Sequence, residues 1–286
     1  MRAFSWMSGA LISFCLMAIG ARELAGVIST FQILFVRSVV GLVVVTWVIF
    51  QTQRSSLFQT SRFKFHLTRN VFHFFGQYGW FLGIGLLPLA QVFALEFTTP
   101  LWTLVFAALF LRESLTFKKS IALVLGSIGV YLILSPGSEI VNPAAAYVIG
   151  AAIFYALAHV STKVLSATDD PLTVLFYMCL IQLPIGLLFG VGGFVAPTLM
   201  QWVWLILIGL TALTAHFCIT KAMKTTDASV VVTLDFLRLP LIATVGVLVY
   251  GEAFKPMLLV GAALMLVGNL INSYKPKFGV KGGRPL

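Results

Sequence analysis

Long apolar runs alternate along this chain with short polar punctuation, at lengths that suit helices rather than strands. Ten such runs stand out, near residues 4–21, 28–50, 68–86, 90–111, 118–136, 143–163, 171–192, 201–220, 228–250 and 256–274. Most hold about 20 residues, the helix length that crosses the hydrocarbon core of a bilayer. Linkers as short as Leu87-Pro88-Leu89 force neighbouring helices to run antiparallel. The first run, Phe4 to Gly20, could mimic a signal peptide, but no small-residue cleavage site and soluble domain follow it. It therefore reads as the first span.

The pattern also repeats. Glu96 and Asp235 stand 139 residues apart inside the fourth and ninth runs, and the same offset pairs Glu113 with Glu252, Gln77 with His216 and Gly129 with Gly268. Phe14 matches Tyr155 and Arg22 matches Lys163 at an offset of 141. A fixed offset is what internal duplication leaves behind. The expected architecture is an all-α integral membrane protein of ten transmembrane helices, built as two five-helix repeats over 1–138 and 139–274, with a basic tail over 275–286. Five is odd, so the second repeat enters the membrane inverted. Inverted repeats suit alternating access around a site near the midplane.

Composition strengthens this picture. Hydrophobic residues make up 59% of the chain and charged residues 10%; mean hydropathy is +1.01. A soluble domain carries about 25% charged residues, so this surface must face lipid. The net charge of +10 suggests no nucleic-acid partner, because the basic residues follow the positive-inside rule. With the N-terminus inside, fifteen of the nineteen Lys and Arg fall on the inner side and only Arg22 and Lys255 on the outer. Both termini are thus expected in the cytoplasm. Cys15, Cys179 and Cys218 sit in apolar runs without metal spacing and read as packing residues.

Four ionisable groups fall within spans: Arg37, Glu96, Asp235 and Arg238. Such groups are costly in a membrane and mark function by default. Asp235 and Arg238 stand three apart on one helical face, so their ion pair serves substrate binding or helix pinning equally well. Glu96 has no obvious neighbour on its own helix, which favours a cavity-facing or proton-linked role. Arg37 reads either as the partner of Glu96 or as the anchor for an anionic substrate group.

Gln77, Tyr78, Tyr155 and His216 complete the candidate binding set, the tyrosines offering a stacking face with a polar tip. His66 and His73 flank Arg69 where the interface is expected. For His159 and His216 a packed histidine bonded to a backbone carbonyl is the default. Pro100 and Pro240 follow the two intramembrane acids, where a bend could free carbonyls towards a cavity. No nucleophile elbow, phosphate loop, zinc motif or cofactor motif is present in the sequence, and no enzymatic site can be assembled.

The stretch GLLPLAQVFALEFTTPLWTLVFAALFLRESL resembles the EamA repeat of the drug/metabolite transporter superfamily, and AMKTTDASVVVTLDFLRLPLIATVGVLVYGEAF resembles its second copy. Arg112 departs from the glycine that commonly precedes the glutamate there. The resemblance covers about residues 5–274. It implies a ten-helix carrier of the bacterial inner membrane with a central cavity, helices five and ten at the periphery, and proton coupling or exchange. RNVFHFFGQYGW and LDFLRLP are similar to a subgroup that includes S-adenosylmethionine and riboflavin uptake carriers. The expected partner is a small-molecule metabolite (vitamin, nucleoside-like compound or amino acid), with glycines on helices five and ten permitting a homodimer. The competing reading is a non-transporting scaffold whose buried charges only fix helix packing.

Overall fold

The computed structural model describes residues 2–110, 116–134, 142–165, 168–225, 231, 234–253 and 255–273. The Arg112-Glu113 pair, Asp227, the 138/139 repeat boundary and the 275–286 tail lie outside the described residues. The helices are α1 (Arg2–Leu24), α2 (Thr30–Gln51), α3 (Phe63–Leu86), α4 (Leu89–Glu96), α5 (Thr99–Phe110), α6 (Phe117–Leu134), α7 (Ala145–Leu165), α8 (Pro171–Gly190), α9 (Leu199–Thr225), α10 (Arg238–Tyr250) and α11 (Pro256–Ser273). No strand occurs among the described residues.

With α4 and α5 taken as one interrupted span, seven helices among the described residues are long and apolar enough to cross a membrane. The more polar 24-residue α3 and the shorter apolar α10 and α11 complete ten crossing segments. Local chemistry sets several of their ends. Ser29 accepts from the Gln32 amide at the start of α2. Asp170 accepts from the Leu172 amide at the start of α8, with Pro171 in the first turn. Gly251, at φ 63°, takes the left-handed conformation that stops α10.

Helices pack in pairs that respect the sequence offset. α1 lies along α9 and α3 along α7, joining span one to span eight and span three to span six. α2 packs on α8, α4 on α10, and α6 on α11, each against its own counterpart. The α6–α11 contact depends on missing side chains. A Cβ at Gly129 would sit 2.6 Å from the Gly261 carbonyl oxygen, and one at Gly261 would sit 2.5 Å from that of Gly129. Moving both residues by 139 positions gives the Gly268–Ala122 approach, where an added Cβ would lie 3.1 Å from the Ala122 carbonyl oxygen. The same contact therefore occurs twice, related by the repeat.

The two ends of the bundle differ. At the end holding the α3–α4 linker, Arg22 bonds the Leu87 carbonyl at 2.6 Å and Glu252 at 2.8 Å. Glu252 in turn accepts from the Leu89 amide at 2.8 Å, and Tyr250 donates to Glu23 at 2.9 Å. α1, α10 and the linker are thereby closed over one another. At the opposite end Asp169 joins the α7–α8 loop to the start of α3 through His66 and Thr60, both at 2.7 Å. Those bonds hold α2, α3, α7 and α8 together.

Candidate functional site

Two spans break at the centre of the bundle. α4 stops at Glu96, Phe97 and Thr98 turn, and α5 starts at Thr99. In the second half Leu234 and Asp235 are helical, Phe236 and Leu237 turn, and α10 starts at Arg238. Pro100 and Pro240 follow these turns, so each occupies the first turn of a new half-helix, where its missing N–H costs no bond. At the first break side-chain hydroxyls meet the carbonyls that the proline leaves free. Thr98 donates its hydroxyl to the Leu95 carbonyl at 2.7 Å and Thr99 to that of Glu96 at 2.6 Å. Phe97 and Phe236, 139 residues apart, stack across the breaks with centroids 4.2 Å apart and planes 12° from parallel.

A cavity of about 500 Å³ surrounds this stack. Seven of the eight sequence candidates line it: Arg37, Gln77, Glu96, Tyr155, His216, Asp235 and Arg238. Tyr78 does not. It stacks on Phe31 at 4.4 Å in the surrounding packing. A second hollow beside Glu252, of about 70 Å³, is too small for a metabolite. Along the bundle the large cavity continues past Thr103, Ile219 and Val231 to Asn272, away from the end closed by Arg22.

Arg238 organises one wall. Its Nη2 lies 3.0 Å from Asp235 Oδ2 and 3.4 Å from Glu96 Oε1. Its guanidinium stands over the rings of Phe14, Phe97 and Phe93 at 4.4, 5.0 and 5.2 Å. Trp80 Nε1 donates to Glu96 Oε2 at 2.8 Å. Glu96 thus pairs with Arg238, and the alternative pairing with Arg37 does not form. Asp235 Oδ1 receives no hydrogen bond among the described residues.

Arg37 belongs to the opposite wall. Its Nη1 donates to Gln77 Oε1 at 2.9 Å, and its Nε has no partner. Gln77 Nε2 reaches His73 Nδ1 at 2.7 Å, and Gln182 Nε2 reaches the same nitrogen at 3.1 Å. Behind them Arg69 bonds Thr162 and Asn70. Among the described residues neither Arg37 nor Arg69 meets a carboxylate.

His73, expected at the interface, lines the cavity. It sits four residues before Gln77, hence on the same face of α3, and that spacing was the available signal. Trp80, whose indole has both a stacking face and a polar tip, spends that tip on the bond to Glu96. Asn269 also lines the cavity, its Nδ2 unpartnered. Among the described residues no group of three His, Cys, Asp or Glu is placed to hold a metal ion.

Known proteins give the arrangement its context. The EamA-like transporter family model matches residues 1–135 and 142–274. A riboflavin transporter of Vibrio cholerae is 35% identical over 217 residues, covering 75% of this chain and 72% of its own. An S-adenosylmethionine uptake transporter of Rickettsia bellii is 24% identical over 272 residues, covering 95% and 93%. A solved crystal structure superposes with a TM-score of 0.66 at 18% identity, over 94% of this chain and 96% of that one, and so shares the fold. These matches favour transport over the scaffold reading. The chain belongs to the EamA-like transporter family and is a multi-pass inner-membrane carrier of a small metabolite.

Proposed function

We propose that the chain moves its metabolite by alternating access between two inverted repeats, 1–138 and 139–274, with both termini in the cytoplasm. In that orientation the end closed by Arg22, Glu252 and the α3–α4 linker faces outwards, and the cavity runs towards the cytoplasm. The conformation is then inward-facing. The observation that carries this reading is the cavity itself. It lies at the crossing of two broken helices 139 residues apart, holds seven of the candidate residues, and stands inside the end that Arg22 and Glu252 close. Half-helices meeting at the midplane are a recurring way to build a transport site from backbone and a few charges.

Arg37, Gln77, Glu96, Tyr155, His216, Asp235 and Arg238 form the binding surface, and Tyr78 packs on Phe31 outside it. The riboflavin and S-adenosylmethionine carriers among the relatives make a vitamin or nucleoside-like compound the first cargo to test. The chemistry required is binding and release, with no covalent step. Lipid surrounds the bundle; the α6 and α11 glycines expected to permit a homodimer are instead spent on the contact between these two helices within the chain.

Uptake of each compound into proteoliposomes, with and without an inward proton gradient, tests the proposal. Saturable flux in the wild type that falls at least about tenfold in Glu96→Gln, with the variant still monodisperse and folded, is the expected result. Flux unchanged in that variant removes Glu96 from the mechanism. Dependence on the gradient separates proton coupling from exchange.

A further inference from the structure

The cavity is electrically lopsided, and the imbalance identifies the kind of molecule that completes it. On the α2–α3 side stand two guanidiniums, Arg37 and Arg69, with no carboxylate against either among the described residues. Arg37 is only 5% exposed. On the α4–α10 side two carboxylates, Glu96 and Asp235, share the single guanidinium of Arg238, and Asp235 Oδ1 accepts nothing. A buried charge without a counter-ion is expensive in this setting. Water relieves the cost while the cavity is open, but once it closes around cargo the relief must come from the cargo.

The hydrogen bonds on the cationic side also fix a proton. Arg37 can only donate, so the Gln77 oxygen must face it and the Gln77 NH₂ must face His73. His73 Nδ1 then accepts from Gln77, and Gln182 Nε2 approaches the same nitrogen. The ring proton resides on Nε2. Arg37 and His73, both lining the cavity and linked through Gln77, thus bring two N–H donor groups to this side of it. A guanidinium beside a second N–H donor suits a carboxylate. The aromatic middle of the cavity is made of Tyr155, beside His73, and of Phe14, Trp80, Phe97 and Phe236, which flank the Arg238 wall.

Resting on the carrier reading above, we propose that the cargo is a zwitterion of the α-amino-acid type: its carboxylate seats against Arg37 and His73, its cationic group against Asp235 and Glu96, and its body against the aromatic middle. The cavity selects this class over neutral planar molecules and over simple cations. Arg69 raises the positive potential behind the carboxylate without touching it.

The test compares S-adenosylmethionine, its decarboxylated analogue and riboflavin as ligands of the purified full-length chain, followed by Trp fluorescence and by competition in the uptake assay. In the wild type, loss of the carboxylate is expected to weaken binding at least about tenfold, the scale of one charge-assisted contact. In Arg37→Gln the zwitterion weakens to the level of the decarboxylated compound, which itself changes little, and Arg37→Lys restores part of the difference. The wild-type pair of ligands reads the effect even where Arg37→Gln folds poorly. Equal affinity for the zwitterion and its decarboxylated analogue overturns the proposal. Riboflavin flux that Arg37→Gln leaves intact also overturns it while the carrier reading survives. Absence of flux for all three compounds in the wild type counts against both.

Discussion

Glu96 and Asp235 occupy the same place in the two halves, yet the protein treats them differently. Each is the last helical residue before a central break, each is followed by a phenylalanine of the Phe97–Phe236 stack, and both reach Arg238. Glu96 has a second partner in Trp80, whereas the residue 139 places on from Trp80 is Ile219, which cannot donate. Asp235 keeps an unpartnered oxygen for that reason. Arg238 has no counterpart either, since Thr99 stands 139 places before it and caps the Glu96 carbonyl instead. The shared features build the scaffold of broken helices. The unshared ones give the cavity its chemistry. A strictly symmetric carrier would present identical walls, and here the departures from symmetry create the polarity of the site.

The strongest way to break this comparison is to remove the cation that both acids use. Arg238→Gln leaves two buried carboxylates facing one another without a counter-ion and strips the rings of Phe14, Phe97 and Phe93 of their cation. The expected loss is about 3–5 kcal/mol, measured as the shift of thermal unfolding in detergent. A loss below about 1 kcal/mol would mean that water, rather than Arg238, neutralises the pair. Trp80→Phe sharpens the comparison from the other side by making Glu96 resemble Asp235. It keeps the aromatic volume, removes one bond to a carboxylate, and should cost about 1.5–3 kcal/mol. Ile219→Val, at the equivalent position, should cost about 0.5–1.5 kcal/mol through lost methylene burial alone. If the two substitutions alter uptake to the same degree, the extra bond on Glu96 has no part in transport.

Much of this organisation was legible in the sequence because it rests on length and spacing. Ten apolar runs gave the crossing segments, and the 139-residue offset picked out the acids that end both broken helices. The misjudged features depend on rotation about a helix axis and on neighbours distant in sequence. Tyr78 follows Gln77 by one residue, and about 100° of helical rotation turns it away from the cavity onto Phe31. His73 looked interfacial because the third span was expected to start at 68. α3 begins at Phe63, which places His73 three turns inside it. The partner of Glu96 could not be read from a single sequence, since Arg37 and Arg238 were both available and only the packing of α4 on α10 decides between them.

Asp169 extends the comparison to a carboxylate that, among the described residues, has no arginine on it. Its side chain is 7% exposed, and it accepts from Thr60 and Thr168 and contacts His66 Nε2 at 2.7 Å. Burial pushes its carboxyl up, but the hydrogen bonds of His66, Thr60 and Thr168 outweigh burial and hold it below the ordinary carboxylate range. A carboxylate held low in the folded state binds protons more readily when unfolded, so its stabilisation is present above about pH 4 and fades as pH falls through the folded value. Unfolding of the wild type in detergent should therefore show an acid-side loss of stability that begins at about pH 4 and continues below it as the folded carboxylate takes up its proton. Asp169→Asn should lower stability at neutral pH and flatten that part of the acid limb. A variant whose acid limb keeps the wild-type slope would assign it to other carboxylates. It would leave the Asp169 contacts as spacing between two loops rather than as the tie that holds α3 to α7 and α8 at the end opposite Arg22.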